Sequence, residues 1–239
     1  NHKILSYPRT DSRHLTTDIV PTLLDRLKSI AIGPYEKFAR SIIKGRIHTT
    51  SRLVDNSKVS DHHAIIPTEQ HVDLSSLNRE EKNIYDLVVK RFLEVLSLPF
   101  EYEQTTLVIN VKGESFSAKG KIVKSKGWKE ISSSGANEDK DQSLPPINKG
   151  EDVKLTSVRS VNEKTKPPAR YNEATLLTAM EHPGKNIEDD SLREALDNTS
   201  GLGTPATRAD VIEKLFNTFY MERKGKDIHP TSKGIQLIG

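Results

Sequence analysis

The sequence predicts an α+β fold in three successive parts, on three observations. Apolar residues recur at helical spacing over residues 16–96, the period falls to two after Pro99, and capped helical segments followed by a short hairpin return after Pro167. The expected parts are a helical one over 1–97, a β-rich one over 98–165 with a flexible insert at 132–146, and a helix-turn-helix or winged segment over 166–239 that the chain end truncates.

In the first part, Thr16-Thr17-Asp18 can cap a helix carrying Ile19, Leu23, Leu24, Leu27 and Ile30. Gly33 ends that pattern, and Pro34 suits the first turn of a helix over 35–44. Asn78 precedes a third helix with Ile84, Leu87, Val88, Phe92 and Val95 on one face. These stripes read as core.

In the second part, Thr105-Thr106-Leu107-Val108-Ile109-Asn110-Val111 alternates as a strand does. Gly113, Gly120 and Gly127 fall between short runs at 116–123 and 128–131, and 153–161 returns as a further strand. A meandering antiparallel sheet is expected. Asp139-Lys140-Asp141 in the insert, and Glu188-Asp189-Asp190 further on, read as solvated acidic runs and not as metal sites.

In the third part, Asn172 can cap a helix carrying Ala174, Leu176, Leu177, Ala179 and Met180. Thr207 can cap a second over 208–216, with Val211, Ile212 and Leu215 on its apolar face. Residues 219–223, a Lys224-Gly225-Lys226 turn and 227–230 read as a hairpin, and Thr231-Ser232 can cap a last helix. A small structural α/β unit and a DNA-binding wing both fit this pattern.

Composition bounds the function only loosely. A chain of 239 residues can bury a sizeable core. The absence of Cys excludes disulfides and zinc fingers. No apolar stretch approaches the roughly 20 residues of a membrane helix, so no membrane partner is expected and the cytoplasm suits the chain. A net charge of +3 is too small to argue nucleic-acid binding by itself.

The chemistry is concentrated in Tyr7-Pro8-Arg9-Thr10-Asp11-Ser12. A tyrosine hydroxyl, with an ordinary pKa of about 10, becomes a useful nucleophile only when the group it attacks is held and charge is stabilised. Arg9 carries a permanent charge whose fork matches two phosphate oxygens. Pro8 keeps Tyr7 extended, and Thr10, Asp11 and Ser12 are turn formers that bring hydroxyls and backbone N–H groups together. A half-buried tyrosine beside a capped helix start would carry the same residues.

Further segments decide between these readings. Asp61-His62-His63-Ala64-Ile65-Ile66-Pro67-Thr68 joins two histidines to an apolar run ending in Pro-Thr. Pro167-Pro168-Ala169-Arg170-Tyr171-Asn172-Glu173-Ala174-Thr175-Leu176 is followed by Gly201-Leu202-Gly203-Thr204-Pro205-Ala206-Thr207-Arg208. Together with the tyrosine motif, and in this order over 6–231, these resemble the signature blocks of type IA DNA topoisomerases. Their spelling is more similar to the topoisomerase III branch than to topoisomerase I.

The resemblance implies a winged-helix-like catalytic part, a β arch acting as a hinge, and a winged DNA-binding part. It implies that Tyr7 attacks single-stranded DNA to leave a 5′-phosphotyrosine link, allowing strand passage for relaxation or decatenation without ATP. Arg9 would stabilise the phosphate in the transition state, and His62 would hydrogen-bond the scissile phosphate or a neighbour. Thr10, Ser12, His63, Arg170, Thr207 and Arg208 are the expected DNA contacts, with bases stacking on Tyr171 or Tyr220.

Enzymes of this kind begin with a Toprim domain whose acidic cluster binds magnesium. Since the tyrosine motif starts at residue 7, the chain is expected to be a central fragment that binds no metal itself, with Mg²⁺ held by the missing domain of the full-length enzyme. The partners implied are single-stranded DNA, the rest of the parent chain and a cellular helicase, at the nucleoid. Two functional readings stand: part of a magnesium-dependent topoisomerase, or a DNA-binding gate that is inert in isolation. A tyrosine recombinase fits less well, because its tyrosine would follow the arginines and histidines, not precede them.

Overall fold

The computed structural model describes residues 2–45, 47, 49–132, 144–145, 147–186, 189–197 and 201–239. Asp139-Lys140-Asp141, Glu188 and most of the 132–146 insert lie outside them. The chain is α+β, with helices and antiparallel strands, and divides into two compact units, Asn1–Lys154 and Leu155–Gly239. No described helix is long and apolar enough to cross a membrane.

The core of the first unit is formed by α1 (Leu23–Ser29), α2 (Glu36–Lys44) and α3 (Arg79–Leu96). Leu15, Leu23, Leu27, Ala39, Val89 and Leu93 are fully buried at their contact. Helix α1 begins later than the sequence suggests, because the Pro21 turn at 20–22 precedes it, and it ends at Ser29. Gly33, at φ +49°, instead opens the turn into α2. Asn78 closes a capping box on α3: its side chain accepts from Glu81 N–H, and the Glu81 carboxylate accepts from Asn78 N–H.

The expected core face of α3 is corrected. Tyr85, Val89, Phe92, Leu93 and Leu96 turn inward, whereas Ile84 and Leu87 are 58% and 71% exposed. The helix carries two apolar stripes, and packing against α2 selects the one containing Tyr85. Burial pushes the Tyr85 hydroxyl up to about 12. Burial and the hydrogen bond it donates to Asp86, at 3.0 Å, push Tyr35 up as well.

The expected meander is a single antiparallel hairpin, β1 (Glu101–Val111) and β2 (Glu114–Ser125), turning at Lys112-Gly113. Gly120 lies inside β2 opposite Thr105, not in a turn. Residues 128–131 do not extend the sheet: the Gly127 turn, at φ +44°, leads into the short helix α4 (Lys129–Ser132), whose Ile131 joins the core. Residues 153–161 form no strand, and Val153, Val158 and Val161 stay exposed.

In the second unit, α5 (Glu173–Glu181), α6 (Asp190–Asp197), α7 (Arg208–Asn217), the β3 (Met221–Lys224) and β4 (Asp227–Pro230) hairpin, and α8 (Ser232–Ile238) follow in order. Asn172 caps α5 as expected, and Thr231 caps α8 by accepting from Gly234 N–H. Ile212, Phe216 and Ile228 form the core, with Leu176, Leu177 and Met180 packed on it. Arg223 from β3 pairs with Glu173 of α5 and Glu213 of α7 while its guanidinium stacks 3.7 Å over the Phe216 ring, fastening the hairpin to both helices.

Candidate functional site

Tyr7 lies on an extended segment, as the following proline requires, and two regions of the first unit meet there. Residues 4–6 pair with 66–68: Ser6 N–H donates to Ile66 O at 2.8 Å, Thr68 N–H donates to Ile4 O at 3.0 Å, and Leu5 bridges Pro67. The Ser6 hydroxyl accepts from Ile66 N–H at 2.9 Å, locking the register. Further along, Leu15 N–H donates to Leu53 O, Asp55 N–H donates to Leu15 O, and Ala64 N–H donates to His14 O. The tyrosine motif is thus sewn on one side to residues 53–58 and on the other to 62–68.

This stitching brings the candidates together. The Tyr7 ring, 57% exposed, lies 4.7 Å from the His62 ring, centroid to centroid, at an interplanar angle of 52°. Arg9 is exposed next to them and has no side-chain partner among the described residues. The Thr10 hydroxyl donates to His62 O at 2.7 Å and accepts from Ser12 N–H at 3.0 Å. The Ser12 hydroxyl donates to Lys58 O at 2.7 Å and accepts from His14 N–H at 3.1 Å. Thr10 and Ser12 are therefore engaged in shaping the loop, whereas Arg9, two residues from Tyr7, keeps its guanidinium free of any partner among the described residues. His63 turns inward, with Nδ1 2.7 Å from Ala64 O, and is less exposed than His62.

A neighbouring recess of about 630 Å³ has apolar walls that include Leu5, Tyr7, Ile65, Leu77, Ile84 and Val88. One wall of the tyrosine's surroundings is thus the second apolar stripe of α3.

Sequence reasoning missed two residues behind the site. Arg26 is 8% exposed and donates to Pro67 O at 2.7 Å and to Thr22 Oγ1 at 2.8 Å, and pairs with Glu69 at 2.8 Å. Ser29, 1% exposed, donates to Thr68 O at 2.8 Å. The signal was available: both occupy the buried stripe of Leu23, Leu27 and Ile30, and a charged residue there requires partners.

The remaining candidates lie in the second unit. Arg170 is exposed. Thr207 does not cap α7; its hydroxyl accepts from Thr204 N–H at 2.9 Å, tightening the preceding turn. Arg208, expected at the surface, is 4% exposed and donates to Leu202 O, Gly203 O and the Glu181 carboxylate at 3.2–3.4 Å. Its guanidinium ties the glycine loop to the ends of α5 and α7. Gly201, at φ +80°, is required there, since a Cβ would sit 2.4 Å from Met180 O. Tyr220 is half-buried under Lys233, whose Nζ lies 4.7 Å over its ring, whereas Tyr171 is 45% exposed.

Among the described residues no group of three His, Asp or Glu side chains could hold a metal ion. The described residues therefore do not fit a magnesium site.

The family profile described as DNA topoisomerase matches residues 1–239. The chain belongs to the DNA topoisomerase family. This topoisomerase chain is 51% identical to DNA topoisomerase 3 of Bacillus licheniformis and 50% identical to that of Bacillus subtilis, with 99% of it covered in each comparison. It spans about a third of those relatives, 33% and 34% of their lengths. Its fold is similar to that of full-length topoisomerase I from Thermotoga maritima, with a TM-score of 0.65 at 24% identity over 97% of this chain and 33% of that one.

Proposed function

We propose that this chain is the strand-cleaving part of a type IA topoisomerase, with Tyr7 as nucleophile. The observation that carries the reading is the exposed Tyr7 ring packed at a tilt against His62, two residues from an exposed Arg9, on a segment fixed from both sides. In the proposed step the Tyr7 oxygen attacks a phosphodiester of single-stranded DNA. The new bond joins that oxygen to phosphorus, and the bond from phosphorus to the 3′ oxygen breaks. The 3′ oxygen leaves as a hydroxyl, taking up a proton as the tyrosine loses its own. The phosphodiester is conserved as phosphotyrosine, so religation is the same displacement in reverse and needs no ATP.

Arg9 neutralises charge on the non-bridging oxygens as it builds up. The ring of His62 packs against the nucleophile and offers a hydrogen bond to the same phosphate. Thr10 and Ser12 hold the loop, and their backbone neighbours and His63 line the strand's path. In the second unit Arg170 and Thr207 are the proposed contacts to the strand, and Arg208 acts by holding the glycine loop. The division proposed is a winged-helix-like tyrosine domain over 1–97, a hinge or arch over 98–165 built on the β1–β2 hairpin, and a winged DNA-binding segment over 166–239.

Magnesium belongs in this reading to the parent enzyme outside these residues, and no step here runs through it. Relaxation or decatenation, a helicase partner and a place at the nucleoid are proposed for the parent. By itself the chain acts as a single-strand-binding gate.

The test is a denaturing gel that detects a covalent adduct with end-labelled single-stranded oligonucleotide, with and without magnesium and an added Toprim fragment, and with Tyr7→Phe as control. An adduct that needs both Tyr7 and Toprim is expected. An adduct that survives in Tyr7→Phe would sink the nucleophile assignment, and one formed without Toprim would remove the inert-gate reading.

A further inference from the structure

Tyr7 and His62 stand on segments outside any helix or sheet, so their spacing depends on what anchors those segments. Both lead into the same short stretch. Residues 3–6 hydrogen-bond to 66–68, and His62 precedes that stretch by four residues in the chain. The stretch is held from behind by helix α1, through the Arg26 guanidinium on Pro67 O and the Ser29 hydroxyl on Thr68 O. We propose that Arg26 is a positioning residue for the Tyr7–His62 pair, fixing from α1 the stretch that sets the two rings against each other.

The inference rests on the reading of Tyr7 as nucleophile, but its geometry is independent of that reading. Stability alone does not call for an arginine here. A buried ion pair is often no better than a well-packed apolar side chain, and position 26 belongs to the apolar stripe of α1. What an apolar side chain cannot do is fix the direction of a carbonyl. The planar fork does so at Pro67 O through Nη1, and is itself held in place by Nε on the Thr22 hydroxyl and Nη2 on the Glu69 carboxylate. Pro67 is also the bridge partner of Leu5, two residues before Tyr7.

The experiment reads the rings directly. The Tyr7 ring displaces the NMR signals of the His62 imidazole protons, and Tyr7→Leu marks their position without that ring. Arg26→Met is expected to move the His62 signals most of the way to the Tyr7→Leu position, and Arg26→Lys to recover part of the displacement. Leu93→Ala, a destabilising change in the fully buried core of α3, is expected to leave them in place. His62 signals at the wild-type position in Arg26→Met would overturn the proposal. An equal movement in Leu93→Ala would overturn it too, by showing that any destabilisation suffices. Should Arg26→Met fail to fold, Arg26→Lys against Leu93→Ala makes the same decision.

The adduct assay separates the two levels. Arg26→Met is expected to slow adduct formation with oligonucleotide affinity unchanged. An adduct that does not require Tyr7 would remove the nucleophile and leave the ring measurement to decide Arg26.

Discussion

Replacing Arg208 by methionine keeps an unbranched apolar stem and removes the guanidinium, so it separates an internal tie from a phosphate contact. In the structure the group is 4% exposed and holds two loop carbonyls and Glu181, whose side chain is 45% exposed. Hydrogen bonds to a charged group contribute about 1.5–3 kcal/mol each. Three such bonds would sum to at least about 4.5 kcal/mol, but Glu181 and the loop can take up water once the partner is gone, which brings the net loss down to about 2–3 kcal/mol. For a unit of this size that lowers the melting temperature by roughly 8–24 °C, at about 4–8 °C per kcal/mol. The assay is thermal unfolding followed at the amides of Ile212 and Phe216, paired with single-strand binding measured across a salt series. A phosphate contact would contribute about 0.7 to the slope of log affinity on log salt. The expected result is a large fall in melting temperature with the slope unchanged. A slope reduced by about 0.7 with no change in melting would refute the internal tie.

Thr10→Val removes a hydroxyl that bridges His62 O and Ser12 N–H; at about 0.5–1.5 kcal/mol for each bond, urea unfolding should show a loss of about 1–3 kcal/mol, with slower adduct formation. Gly201→Ala forces a positive φ on a residue whose Cβ would meet Met180 O at 2.4 Å; a loss of more than about 1–2 kcal/mol is expected from the backbone alone, and unchanged melting would show that the loop rearranges freely. The folded-state pKa of Tyr85 lies above the ordinary tyrosine value of about 10, so its contribution is fully present below pH 10 and is lost as pH rises toward about 12. Alkaline unfolding should therefore steepen across that window by up to about 1.4 kcal/mol per pH unit for this one group, and Tyr85→Phe should remove that share and leave the one made by Tyr35, which is also raised.

The local features legible in the sequence were those whose cause is local. The capping boxes at Asn78 and Asn172, the hairpin turn at Lys224-Gly225-Lys226 and the extended Tyr7 before Pro8 depend on residues within a few positions of one another. Residues 128–131 are helical and not a strand, because a short apolar run carries no period and helix α4 follows from the Gly127 turn. At 153–161 the alternation was present, but a strand also needs a partner edge, which no local pattern supplies.

By itself, then, the sequence determined the α+β class, most helices, the family and the residue types of the tyrosine site, because periodicity, capping and motif order are written in neighbouring positions. Only the tertiary structure decided which of two apolar stripes on α3 faces the core, that Arg208 is enclosed while Arg9 is open, and that Arg26 reaches the carbonyl of Pro67. Each depends on contacts between residues far apart in the chain, and the same side chain becomes a tie or a free cation according to what folds against it.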